Sequence, residues 1–203
     1  GLLNLYEYIT SWKGTTPSKG YLNNKFNWWT LTPYSPDYSY AITSSTSTGY
    51  DSKSSNGVRP SINLQPNVKI VDGDGTKDNP YKLEGDNDTN LSGTLLSGRY
   101  SGEYVRFGNN ENSLYRIVSH ENGTGTKIAS AEPLKDLGTF KKLAFGNATT
   151  FSSENTIGAF LNGEYLTNYL DSTYRDMIED STIWYFGTVG NGTSYKLAKY
   201  KDT

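Results

Sequence analysis

The sequence predicts a β-rich α+β protein built of antiparallel sheets, with two short helices near 157–180, and three observations carry that expectation. Gly (21 residues), with abundant Ser, Thr and Asn, punctuates the chain into short segments suited to strands and turns. Those segments are rich in aromatic and β-branched residues, and with 17 Tyr and 4 Trp the aromatics must supply much of the core that sparse Leu, Ile, Val and Phe leave unfilled. Sustained helical spacing occurs late, where Phe160, Leu161, Tyr165, Leu166, Tyr169 and Leu170 and then Tyr174, Met177 and Ile178 recur at three- and four-residue steps, with an interruption near Asp171-Ser172.

In chain order, Leu2, Leu5 and Tyr6 place a short helix over Leu2 to Ile9. Asn27 to Thr32 reads as a strand ended by Pro33 and Pro36, with Tyr38 to Thr43 as its neighbour. Ser44 to Asn56 is too polar for a core and is expected as a loop or exposed hairpin. Strand character resumes over Gly57 to Leu64 and Val68 to Val71, before the turn formers Asp72 to Tyr81, the preferred module boundary. Tyr104–Phe107, Leu114–Val118 and Thr126–Ala129 read as an antiparallel meander, and Trp184–Gly187 and Tyr195–Tyr200 as closing strands.

A net charge of -2, without any Lys/Arg cluster, argues against nucleic acid as a partner. The absence of cysteine removes disulfides, thiolate nucleophiles and Cys-ligated zinc, and it suits a Gram-positive extracellular protein as well as a cytosolic one. No apolar stretch approaches the roughly 20 residues of a membrane helix. Gly1-Leu2-Leu3-Asn4 lacks a signal-peptide pattern, as expected of a mature fragment or excised module.

Trp28-Trp29-Thr30-Leu31-Thr32-Pro33, then Gly57-Val58-Arg59-Pro60-Ser61-Ile62-Asn63-Leu64, then Gly73-Asp74-Gly75-Thr76 with Asn79-Pro80-Tyr81, resembles the end of a domain family of Gram-positive surface proteins, whose usual pattern is WWLRSP or WWTLTP followed by GVRPxxxL. The earlier part of that domain resembles Leu114–Val118, Tyr165–Leu170 and Trp184–Val189. The resemblance thus implies two C-type-lectin-like halves in reversed order, 1–84 closing one repeat domain and 85–203 opening the next. The family also looks like the formylglycine-generating-enzyme scaffold. Without that enzyme's cysteines its catalysis does not carry over.

Each half alone would leave an unpaired sheet edge and an exposed apolar face. Either the halves fold back together like a circular permutant, or the closing half of one subunit completes the opening half of its neighbour and propagates a filament. The second is the expectation taken from the sequence.

Candidate binding or assembly residues are Trp28, Trp29, Tyr34, Tyr38, Tyr40, Tyr50 and Arg59. Adjacent Trp28 and Trp29 point to opposite faces of a strand, so at most one is core if the sheet has a wet side; the other is suited to a subunit contact or, less well, to stacking on a sugar. Arg59 is suited to a buried carboxylate, with a ligand anion as the weaker alternative. Asp72 to Asp78 superficially resembles a calcium loop, but Thr76 stands where a carboxylate ligand is common, and a plain turn is the better reading. His120 has no nucleophile elbow to serve and is expected at an exposed turn. Adjacent Glu179 and Asp180 do not face each other as an acid–base pair would. The Asn-x-Ser/Thr sequons at Asn87, Asn90, Asn122, Asn147 and Asn191 are what an Asn/Thr-rich chain yields by chance. Lysines near Asn or Asp permit isopeptide crosslinks that a sequence does not locate.

The resulting expectation is a secreted cell-surface structural protein, not an enzyme and without cofactor or metal, whose partners are other copies of itself. The alternative is a lectin-like adhesin module in which Tyr38 to Asn56 and an exposed Trp bind a glycan or a host-surface protein.

Overall fold

The computed structural model describes residues 1–12, 20–44, 46–84, 93–121, 125–149, 151–152, 156–189 and 195–201. Helix α1 (Leu5–Thr10) begins in a reciprocal capping box. The Asn4 side chain accepts from the Glu7 amide at 2.8 Å, and the Glu7 carboxylate accepts from the Asn4 amide at 2.8 Å. The helix starts later than the spacing of Leu2, Leu5 and Tyr6 suggests, because Leu2 bridges to Pro60 and the Leu3 carbonyl accepts from the Leu31 amide. Sheet pairing claims those residues before the helix can.

The strands are β1 (Trp28–Ser35), β2 (Tyr38–Ile42), β3 (Ser47–Asp51), β4 (Ser55–Gly57), β5 (Ser61–Leu64), β6 (Lys69–Asp72), β7 (Tyr81–Glu84), β8 (Thr94–Leu95), β9 (Tyr104–Arg106), β10 (Leu114–Glu121), β11 (Gly125–Ser130), β12 (Lys135–Asp136), β13 (Thr139–Phe140), β14 (Lys142–Ala144), β15 (Ile183–Val189) and β16 (Tyr195–Lys201). One sheet has the order β14-β4-β1-β2-β3, and a larger one the order β5-β11-β10-β9-β7-β6-β8. The β12–β13 and β15–β16 hairpins stand apart as two-stranded sheets. The meander β9–β10–β11 is antiparallel as expected, whereas β1 pairs with β4, and β7 with β9, in parallel. The protein is therefore β-rich α+β with mixed rather than purely antiparallel sheets.

Pro33 does not end β1. The strand continues to Ser35 through register shifts on both sides of Pro33, and such irregularities accommodate a residue with no amide proton to give. The polar run after Ser44 supplies the β2–β3 hairpin and the turn into β4. Asp72 to Tyr81 is the connection between the antiparallel strands β6 and β7, with Gly73 at φ 88° and Gly75 at φ 79°. Both values lie in the left-handed region that glycine enters without a Cβ penalty.

Strands from 1–84 pair with strands from 93–201 in both large sheets. β5 runs antiparallel to β11, with Ile62 opposite Ile128; β7 runs parallel to β9, with Tyr81 opposite Val105; and β4 is antiparallel to β14. The main core crosses the same seams, gathering Trp29, Leu31 and Ile62 with Val105, Ile117, Phe145 and Phe160. In this structure the edges of β4, β5 and β7 that face the other segment are filled within one chain.

Helix α2 (Thr156–Asn162) is followed by a π-helical turn, Tyr165–Tyr169. Leu170 then turns extended, at φ -124°, and Asp171 caps α3 (Ser172–Arg175) by accepting from the Tyr174 amide at 3.3 Å. The break falls where the sequence places it. At the tip of the β12–β13 hairpin, Leu137 at φ 50° and Gly138 at φ 81° form a two-residue connection in which both residues are left-handed. Gly suits that geometry, while a left-handed leucine costs about 1–2 kcal/mol.

Candidate contact surface

Successive side chains of β1 point to opposite faces, so the fate of Trp28 and Trp29 depends on what covers each face. Both are fully buried, which overturns the expectation of one wet side. Trp29 lies in the main core, edge-on to Phe145 at 5.9 Å, with its indole N–H donating to the Leu143 carbonyl at 2.8 Å. Trp28 lies in a second cluster with Leu3, Leu5, Tyr8, Leu22 and Ile42. The N-terminal helix and Leu22 thus roof the face that a bare sheet would have left wet. Neither indole is open to a sugar or a second subunit.

Arg59 is fully buried, yet its described partners are not carboxylates. Nε donates to the Ser130 carbonyl at 2.7 Å, Nη1 donates to the Leu22 carbonyl at 2.6 Å, and the guanidinium lies 4.7 Å from the centre of the Trp28 ring. Burial, reinforced by the nearby charge of Arg116, lowers its pKa to about 9, so the group remains charged at neutral pH. Arg59 ties the closing strand to β11 and to the Leu22 loop through main-chain oxygens. It is a structural residue with no open side for a ligand anion.

The four tyrosines divide between the two faces of the β1–β2–β3 corner. Tyr50 is half-buried against the main core. Tyr34 and Tyr38 are 49% and 44% exposed, and Tyr40 is half-buried beside them. Tyr34 meets Tyr40 edge to face at 5.0 Å. Gly49 makes room for this ring, since a Cβ there would stand 2.6 Å from Tyr34. An aromatic shelf therefore reaches from β1 across β2 onto β3.

β3 is the end strand of its sheet. Hydrogen bonds from the Ser52 amide to the Asp37 carbonyl and from the Thr43 amide to the Thr46 carbonyl fix the phase of the β2–β3 ladder. Ser39 then exchanges bonds with Tyr50, and Ala41 with Thr48, which directs the main-chain groups of Ser47 and Gly49 outward, while the Asp51 carbonyl accepts from the Ser54 amide at 2.9 Å. An unpaired strand edge of this kind is a template for another strand.

The remaining candidates are held in local structure. His120 sits half-buried on β10 rather than at an exposed turn, with Nδ1 2.8 Å from Thr126 Oγ1 and Nε2 2.6 Å from the Arg99 carbonyl. The Glu179 carboxylate accepts from the Ser181 amide and hydroxyl. Asp74 Oδ1 accepts from the amide and hydroxyl of Thr76, and Asp72 Oδ1 accepts from the Gly73 amide, so these carboxylates stabilise their own turn. Asn147 is exposed, whereas Asn87, Asn90, Asn122 and Asn191 lie outside the described residues.

Two features escaped the sequence reading. One is a cavity of about 330 Å3 at the outer edge of β5, walled by Ile62, Leu161, Tyr165, Leu166, Ile178 and Trp184. Its walls come from three distant stretches of chain, and no local pattern joins them. The other is Leu137, fully exposed at the hairpin tip. Gly138 signals the turn, but nothing in the sequence marks the leucine beside it as solvent-facing. No protein-family model, curated protein or solved structure matches the chain.

Proposed function

We propose that this chain is a non-catalytic structural module of a Gram-positive cell surface, secreted and assembled with copies of itself into a filament or tandem array. The outward-facing β3 edge, bordered by Tyr34 and Tyr38, carries this reading. Main-chain pairing along such an edge supplies affinity, and large flat rings beside it exclude water from the contact. The motif resemblance of Trp28–Pro33 and Gly57–Leu64 to surface-repeat domains points the same way. Since β4, β5 and β7 find partners in their own chain, contact between copies falls to the outer surfaces and needs no exchange of halves.

Ser47→Pro tests the reading, because it removes an outward amide while leaving the Ala41–Thr48 pairing intact. The expected result is loss of concentration-dependent association with the fold retained by circular dichroism. Association unchanged in Ser47→Pro and in Tyr34→Ser/Tyr38→Ser would remove the β3 edge from the account.

A lectin-like role is the second reading, and the exposed rings of Tyr34 and Tyr38 favour it. Its readout is chemical-shift change at those two tyrosines on titration with glycans. Indole fluorescence is a poor probe, because Trp28 and Trp29 are out of reach.

A further inference from the structure

We infer that the β3 edge pairs with the β3 edge of a second copy, antiparallel across a two-fold axis at Thr48. The inference rests on the self-assembly reading above and names the surface that the β3 edge meets. Ser47 and Gly49 are the β3 residues whose amide and carbonyl both point away from β2. Of these four groups only the Ser47 carbonyl has a partner among the described residues, the exposed Thr46 hydroxyl at 3.4 Å, and a carbonyl oxygen accepts a second bond.

Ser47 and Gly49 stand two apart, so an antiparallel β3 sets Ser47 opposite Gly49 of the second copy, and Gly49 opposite Ser47. Each pair exchanges two main-chain bonds, and every outward group of both residues is used. Centring the axis on Gly49 instead sets Ser47 against Asp51, whose carbonyl already accepts from the Ser54 amide at 2.9 Å. β14, at the opposite edge of the same sheet, is a poorer mate: it has three residues, and the carbonyl of its middle residue, Leu143, accepts from the Trp29 indole.

The side chains suit the same register. On one face the Tyr34 ring lies over Gly49, and the residue set opposite that glycine is Ser47, small enough not to displace the ring. Each copy thus lays a half-exposed ring over one bonded pair and shields its new hydrogen bonds from water. On the other face exposed Thr48 meets its own counterpart as the close, non-hydrogen-bonded pair, with Cβ atoms about 5 Å apart. Ser47 to Tyr50 carries no charge, and Asp51, three residues from the axis, stands ~20 Å from its counterpart, so like charges do not meet. A two-fold contact closes on itself, so it joins copies in pairs and ties neighbouring tandem arrays side by side.

The symmetry supplies the test. Thr48→Lys sets two ammonium groups against each other and Thr48→Glu two carboxylates, at an exposed position where neither disturbs the fold. Each variant alone is expected to associate roughly fivefold more weakly than the wild type in light scattering, and an equimolar mixture of the two to recover wild-type association. Because the chain has no cysteine, Thr48→Cys under mild oxidation gives a second readout. A disulfide-linked dimer is expected to form severalfold faster than in a Lys53→Cys control, since the close pair brings the two sulfur atoms into bonding reach. A mixture that does not recover, or Thr48→Cys crosslinking no faster than the control, in a protein whose wild type still associates, overturns the β3–β3 pairing and leaves the self-assembly reading in place. A wild type that stays monomeric at every concentration overturns both.

Discussion

The guanidinium of Arg59 lies 4.7 Å from the ring centre of Trp28 while bonding to carbonyls of Leu22 and Ser130. One side chain thereby joins the aromatic strand β1, the loop before it and β11.

Arg59→Lys keeps the charge but loses the planar fork that reaches two carbonyls at once. The expected cost is about 2–4 kcal/mol in urea unfolding, because a buried ammonium that does not reach both acceptors leaves the Leu22 or the Ser130 carbonyl unpaired. A change below about 0.5 kcal/mol would show that Arg59 does not hold β1, the Leu22 loop and β11 together.

The elements were more legible in the sequence than their pairing. Alternation and turn formers located β1, β2 and the β9–β11 meander, and the interruption near Asp171-Ser172 followed from the apolar spacing. What covers each sheet face was not legible, because it depends on contacts far apart in sequence. Trp28 is buried by a helix beginning at Leu5 and by Leu22, and the partner of Arg59 is a main-chain oxygen that no residue type announces. The tyrosine shelf was partly legible: Tyr34 and Tyr38 are exposed and Tyr34 meets the half-buried Tyr40, whereas Tyr50, close in sequence, packs against the main core.

Glu7 serves both the α1 capping box and an ion pair with Lys127 of β11, whose ammonium also lies 4.4 Å from the centre of the Trp184 ring. Glu7→Gln retains the capping acceptor but leaves a buried cation without its counter-ion, so a loss of about 2–4 kcal/mol is expected. Adding Lys127→Met should restore more than half of it, since the stranded charge is then gone. A double variant less stable than Glu7→Gln in chemical denaturation would contradict this.

Alkaline pH should unfold the protein. Tyr115 and Tyr165 share a hydrogen bond of 2.6 Å, and burial raises the pKa of both; burial, with the Asp136 hydrogen bond, pushes Tyr169 up to about 12. A phenol whose folded pKa exceeds the unfolded value near 10 contributes stability that is complete below pH 10 and is lost as pH rises above it. Arg59 acts in the opposite sense above about pH 9, where relief of its charge removes a burial penalty. The urea midpoint should therefore hold from pH 7 to 9 and fall above 10, with phenolate absorbance of the buried tyrosines appearing only on unfolding. Full phenolate titration near pH 10 with the fold intact would contradict the burial of these rings.

The most direct test of the assembly account is light scattering paired with negative-stain electron microscopy of the wild-type protein over a wide concentration range. The account expects mass to rise with concentration and regular fibres or arrays built of closed modules, each with its β5–β11 seam made within one chain. Uniform particles of monomer mass at every concentration would contradict it and make glycan binding at Tyr34 and Tyr38 the leading reading.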